Sequence, residues 1–124
     1  MVPTKNIKVF LIEDAPKIRA ILIEVLLQNN IEVVGYAENQ SDALAYLRNN
    51  EWDVVIVDIS LKAGSGMGVL EVLNNDNKQY GKRVVFSGDA SPLLKKRALA
   101  LGADEVFEKS KDIDKLLEYV ESLH

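Results

Sequence analysis

Short β-branched runs alternate with longer segments whose apolar positions recur every three or four residues, and the alternation repeats five times along the chain. Ile7 to Ile12 (IKVFLI), Ile31 to Tyr36 (IEVVGY), Asp53 to Val57 (DVVIV), Arg83 to Phe86 (RVVF) and Glu105 to Phe107 read as strands. The third is almost wholly apolar, as suits a parallel strand covered on both faces. Ile18, Ile21, Leu22, Val25 and Leu26 keep helical spacing after Asp14-Ala15-Pro16, which offers a capping acid and an early-turn proline. Ser41 is placed to open a helix carrying Ala43, Leu44 and Leu47. The loop Ala63 to Gly66 leads into one carrying Met67, Leu70, Val72 and Leu73. Ser91-Pro92 and Gly102 bracket a fourth helix, and Ile113, Leu116, Leu117, Val120 and Leu123 mark a fifth. Five βα units in this order predict a doubly wound α/β domain: a parallel sheet with right-handed crossovers and helices on both faces.

A chain of 124 residues, 48% of them hydrophobic, suits one domain with a substantial core, and the expected unit runs from 1 to 124. Fifteen basic residues against nineteen acidic give a net charge of −4, which argues against a broad nucleic-acid footprint. Lys95-Lys96-Arg97 is too short a basic run to change that and reads as a solvated face or as part of an output surface. With no cysteine, disulfides, thiolate metal sites and cysteine nucleophiles are excluded. The one histidine, His124, is the last residue, which sets histidine catalysis aside. No run is long and apolar enough for a membrane span, and the first residues lack the order of a secretion signal. The expected location is the cytoplasm.

In such sheets ligands bind outside the carboxyl ends of the strands, where the strand order reverses. After the first strand come Glu13 and Asp14, after the third Asp58, after the fourth Ser87, and after the fifth Lys109. Clustered carboxylates repel one another unless a hard cation joins them, and Mg²⁺ (or Mn²⁺) takes such oxygen ligands together with waters and phosphate oxygens. A carboxylate beside Mg²⁺ can attack a phosphoryl group to form an acyl phosphate, while Lys109 and the Ser87 hydroxyl meet the other phosphoryl oxygens.

At this point the chain resembles the receiver domain of two-component response regulators over essentially its whole length. The resemblance rests on Glu13-Asp14, VVIVD ending at Asp58, Gly66 eight residues on, Ser87, and LGADEVFEK from Leu101 to Lys109. It implies a flavodoxin-like (βα)5 sheet of strand order 2-1-3-4-5. It further implies that Asp58 is the phosphoacceptor, that Glu13, Asp14, Asp58 and the backbone carbonyl of Ser60 hold the metal, and that Lys109 assists. Ser87 and Phe107 become the switch pair. Ser60 and Asp89 flank the site and are expected to tune the phosphoryl lifetime through access of the hydrolytic water. The implied partners are a histidine kinase or histidine phosphotransfer protein and a downstream protein target met by the fourth helix, fifth strand and fifth helix. Neither nucleic acid nor membrane is implied as a direct partner, and the implied state is a monomer or a weak phosphorylation-dependent dimer. The protein would be a signalling switch that assists its own phosphorylation and dephosphorylation rather than an enzyme. Two positions depart from the family pattern, Lys62 and Ser110, where proline is usual. Because a cis bond before a non-proline residue costs about 3 kcal/mol, Lys109–Ser110 is expected to be trans.

Each residue also has a plain structural reading. Asp14 suits a helix N-cap, Glu13 the positive start of a helix, Ser87 a loop hydroxyl, Lys109 a surface lysine and Phe107 the core. It is their joint placement at strand ends that favours chemistry. A Mg²⁺-dependent phosphohydrolase is a rival, but Ser60 stands where such enzymes usually carry a second aspartate. A degenerate receiver, binding partners without phosphorylation, is another. On the first helix Ala20, Ile23 and Leu27 are expected to form an outward apolar strip for the phosphodonor to dock on.

Overall fold

The computed structural model describes residues 5–76, 78 and 80–123; Met1–Thr4 and His124, on which the readings of the amino terminus and of the lone histidine fell, lie outside them. Five strands, β1 (Lys5–Ile12), β2 (Ile31–Ala37), β3 (Val54–Val57), β4 (Lys82–Ser87) and β5 (Glu105–Glu108), form one parallel sheet in the order β2-β1-β3-β4-β5. Five helices connect or follow them: α1 (Pro16–Gln28), α2 (Gln40–Asn49), α3 (Gly66–Asn75), α4 (Pro92–Ala100) and α5 (Ile113–Glu121). The parallel, doubly wound sheet expected from the alternation is therefore observed, in the strand order that the family resemblance implies.

Side chains on a strand alternate between faces, and here both faces are covered. Val9, Leu11, Ile56, Val84, Phe86 and Phe107 point to one side, packed under Leu22 and Leu26 of α1 and Leu116 and Val120 of α5. Phe10, Ile12, Val55 and Val57 point to the other, against Ala43 and Leu47 of α2 and Val69 and Leu73 of α3. Ala98 of α4 joins Leu70, Val85 and Ala103 in a further cluster. All four residues of β3 are buried, which explains its unbroken apolar sequence.

Several local expectations need correction. Asp14 does not cap α1: Ala15 holds that position without a side-chain bond, so the Asp14 carboxylate is not used there. Asn39, not Ser41, starts α2, its side chain accepting the Asp42 N–H at 2.8 Å. Asp53 precedes β3 instead of opening it, and its carboxylate accepts the Lys8 N–H across the sheet at 2.7 Å. On α1 the outward strip is differently composed. Ile23 packs against the core, whereas Ile21, assigned to the core stripe, is 53% exposed beside Ala20 and Leu27. At 100° per residue, a face centred between Leu22 and Leu26 puts Ile23 roughly 80° from its middle and Ile21 roughly 120° away. Ser91 and Gly102 fulfil their predicted roles. The Ser91 hydroxyl accepts the Leu94 N–H at 3.3 Å, and Gly102, just past the end of α4, has a φ of +97°.

Candidate functional site

The strand order reverses around β1, which lies between β2 and β3, so the loops after β1 and β3 meet over the carboxyl edge of the sheet. The β1–β3 register pairs Ile12 with Val57 and thereby sets Glu13 beside Asp58. Asp58 donates its backbone N–H to the Ile12 carbonyl at 2.9 Å, and Glu13 donates its own to Ala37 at 3.0 Å. Both carboxylates are buried, Glu13 at 2% exposure and Asp58 at 6%, while Asp14 is half-buried at the rim. Glu13, Asp14 and Asp58 each offer an oxygen within 4.8 Å of the others.

One ammonium enters this cluster. Lys109 Nζ lies 2.6 Å from Glu13 Oε1 and 2.9 Å from Asp58 Oδ2, with the lysine side chain itself largely buried. Burial pushes the Glu13 carboxyl above the usual glutamate range, against the pull of the Lys109 ammonium and the Ala15 N–H. Burial also works against the Lys109 charge, but its bonds to Glu13 and Asp58 outweigh that and raise its pKa. Three carboxylates facing one ammonium leave negative charge uncompensated. The donors are oxygens only, the set that a hard divalent cation such as Mg²⁺ prefers.

The backbone around Asp58 is tightly held. Ser60 N–H points back to Asp58 Oδ1 at 3.3 Å, Gly66 N–H donates to Ile59 at 3.0 Å, and Ser60 bridges Ser65. A Cβ at position 66 would collide with the Asp58 carbonyl, so glycine is required for α3 to start this close. Ser60 is exposed. At the end of β4, Ser87 is buried at 3% exposure, its carbonyl accepts the Lys109 N–H at 2.9 Å, and its hydroxyl oxygen accepts the Asp89 N–H at 3.2 Å. Asp89 lies exposed on the rim and accepts the Ser91 N–H at 2.9 Å. Phe107 sits in the core with its ring centroid 6.2 Å from that of Tyr119. The Lys109–Ser110 bond is trans, and the Ser110 hydroxyl donates to Glu108 Oε1 at 2.7 Å.

Three residues that hold the site were not singled out from the sequence. Arg19 Nη1 donates to the Glu13 carbonyl at 3.0 Å, with the guanidinium over the Tyr36 ring. Gln40 latches the loop after β3: its N–H donates to Ala63 at 3.1 Å, and its Oε1 accepts the Ser65 N–H at 3.0 Å. The space its side chain fills is left by Gly64 and Gly68. Asp112 accepts the Glu108 N–H at 2.9 Å next to Lys109. Each acts on a residue distant in sequence or through its backbone, and periodicity does not register either. A cavity of about 680 Å³ opens at the opposite end of the sheet, beside Asp53, Lys82 and Asp104; it is remote from the acidic cluster.

The family model described as "Response regulator receiver domain" matches residues 9–121. A protein-glutamate methylesterase/protein-glutamine glutaminase of Methanospirillum hungatei is 30% identical over 90% of this chain, which spans 33% of that relative. The chain also spans only 48% of a heme response regulator of Staphylococcus haemolyticus and 57% of a fimbriae Z protein of Salmonella typhimurium, both 30% identical. Among solved structures, the receiver domain of Francisella response regulator 1452 is 26% identical with a TM-score of 0.87, covering 95% of this chain and 96% of that one. The response regulator TrrA of Thermotoga maritima, solved in complex with Mg²⁺-BeF, is 29% identical with a TM-score of 0.82, covering 95% and 99%.

Proposed function

The chain belongs to the family of response regulator receiver domains, and from that premise we propose that Asp58 accepts a phosphoryl group from a histidine kinase or histidine phosphotransfer protein. The observation that carries this reading is the Lys109 ammonium between two buried carboxylates, 2.6 Å from Glu13 and 2.9 Å from Asp58, with Asp14 alongside.

In the proposed step an Asp58 oxygen attacks phosphorus. A new O–P bond forms as the P–N bond to the donor imidazole breaks, and the imidazole leaves with the electron pair and takes up a proton. Glu13, Asp14, Asp58 and the Ser60 carbonyl are the groups to hold Mg²⁺, which when bound offsets charge on the phosphoryl oxygens. Lys109 exchanges part of its pairing with Asp58 for a phosphoryl oxygen. The Ser87 hydroxyl, whose oxygen already accepts the Asp89 N–H, has its own proton to give to another. Drawing Ser87 inward would pull the loop that it shares with Asp89 and Ser91, and with it the start of α4. Phe107, paired in register with Phe86, is the aromatic that would rotate into the space so vacated. The face of α4, β5 and α5 would then change for a protein target.

The phosphodonor is proposed to approach over α1. There Ile21 and Ile18, with Ile113 of α5, border an apolar hollow of about 150 Å³ that ends at Lys109. The whole of residues 1–124 is proposed as one receiver unit, cytoplasmic and without direct nucleic-acid contact; among the described residues no helix is long and apolar enough to cross a membrane. Incubation with acetyl phosphate and Mg²⁺, followed by intact mass measurement, tests the proposal. A single phosphoryl increment that is lost on chelation of Mg²⁺ and in Asp58→Asn is expected. No increment with any donor would favour a receiver that binds partners without phosphorylation.

A further inference from the structure

Lys109 reaches Glu13 and Asp58 from the short segment between β5 and α5, so the placement of its ammonium depends on what fixes that segment. One side is fixed by the sheet, where the Lys109 N–H donates to the Ser87 carbonyl at 2.9 Å. Successive N–H groups on a strand point to opposite sides, so the Glu108 N–H points away from β4. β5 is an edge strand, and among the described residues no neighbouring strand offers that N–H an acceptor.

Asp112 supplies one. Its Oδ2 accepts the Glu108 N–H at 2.9 Å, while its own N–H donates to the Glu108 carbonyl at 2.9 Å. Together these bonds close a ring from 108 to 112 with Lys109 inside it. The Lys111 N–H adds a third, at 3.3 Å to the same carbonyl. An aspartate at this N-cap position ordinarily turns its carboxylate forward onto the helix N–H groups. Here it makes no side-chain cap bond with α5 and turns back to the strand. The residue is buried, and the Glu108 N–H, assisted by Lys115 and Lys111, holds its carboxyl below the usual aspartate range.

We propose that Asp112 is a positioning residue for Lys109: by tying Glu108 back to the start of α5 it holds the ammonium between Glu13 and Asp58 across a trans Lys109–Ser110 bond. The proposal rests on the phosphoacceptor reading for its functional consequence, though not for its structural one.

The test compares Asp112→Ala with Asp112→Asn, which keeps an oxygen acceptor, each with Lys109 intact and in a Lys109→Ala background. Amide hydrogen exchange of the metal-free protein is read first. Asp112→Ala should speed exchange at Lys109 and Lys111 at least about tenfold, while Asp112→Asn stays near wild type. With acetyl phosphate and saturating Mg²⁺, Asp112→Ala should slow labelling about tenfold, the scale of loss when a group that orients a site residue is removed. Asp112→Asn should recover most of that rate, and in Lys109→Ala the Asp112→Ala change should cost nothing further. Unchanged exchange, an Asn variant no better than Ala, or an equal loss without Lys109 would each overturn the proposal. If wild type takes no phosphoryl group the phosphoacceptor reading falls, while the exchange comparison still decides the positioning role.

Discussion

At the scale of single residues, the site is a conflict of charge resolved by burial and pairing. Glu13 and Asp58 are almost wholly removed from water, and the Lys109 ammonium bridges them within 3 Å of each. A lone buried carboxylate would be costly, and removing one partner of such a pair is worse than never having it. Gly66 belongs to the same scale, because hydrogen alone fits between its Cα and the Asp58 carbonyl. Gly66→Ala should destabilise the fold by about 1–3 kcal/mol through this overpacking. The check is urea unfolding followed by fluorescence of Trp52, which is buried and stacked on Tyr80. A loss well below 1 kcal/mol would mean that the loop after β3 gives way more easily than its bonds suggest.

Elements show where sequence reading succeeds and where it stops. All five strands and five helices lie where the apolar pattern put them, because each strand is buried on its own schedule and each helix shows one wet face. The order of Glu13, Asp14, Asp58, Ser87 and Lys109 at strand ends was legible for the same reason: topology alone carries strand ends to one edge. Caps were less legible. Asp14 had the right chemistry for a cap, but Ala15 takes the N-cap position and makes no side-chain cap bond. On α1, seven large apolar residues (Ile18, Ile21, Leu22, Ile23, Val25, Leu26 and Leu27) cover more of the helix than its buried face can take, so spacing alone could not separate Ile21 from Ile23. That correction makes Ile21 the position at which to test docking. Ile21→Lys should slow transfer from a histidine phosphodonor by about tenfold or more, since a hot-spot truncation is worth ~2 kcal/mol. Labelling by acetyl phosphate should be unchanged, and equal losses with both donors would remove α1 from the docking surface. Gln40, Arg19 and Asp112 were not legible at all. Their partners are backbone groups, and backbone positions leave no trace in residue type.

For the whole molecule, the fold and the family are consistent with one division of labour. The crevice where the strand order reverses gathers the acids, and at the opposite end of the sheet Asp53 and Asp104 are engaged in structural contacts with the backbone of Lys8 and Arg83. Helices α4 and α5 flank the edge that carries Ser87 and Lys109, so a change at Asp58 has a short mechanical route to the surface. The departures at Lys62 and Ser110 leave this arrangement intact. Lys62 is exposed and only loosely paired with Glu38, at 3.8 Å, and Gln40 latches its loop; Lys109 is in place with a trans bond after it. The proposed function therefore turns on one carboxylate, that of Asp58. The most direct test is to phosphorylate the protein with acetyl phosphate and Mg²⁺, reduce the acyl phosphate with borohydride, and locate the resulting homoserine by peptide mass spectrometry. Homoserine at position 58 and at no other acid is the expected result. Homoserine at Asp14, the five-carbon 2-amino-5-hydroxypentanoic acid at Glu13, or no reduced residue despite full exposure to the donor, would contradict it.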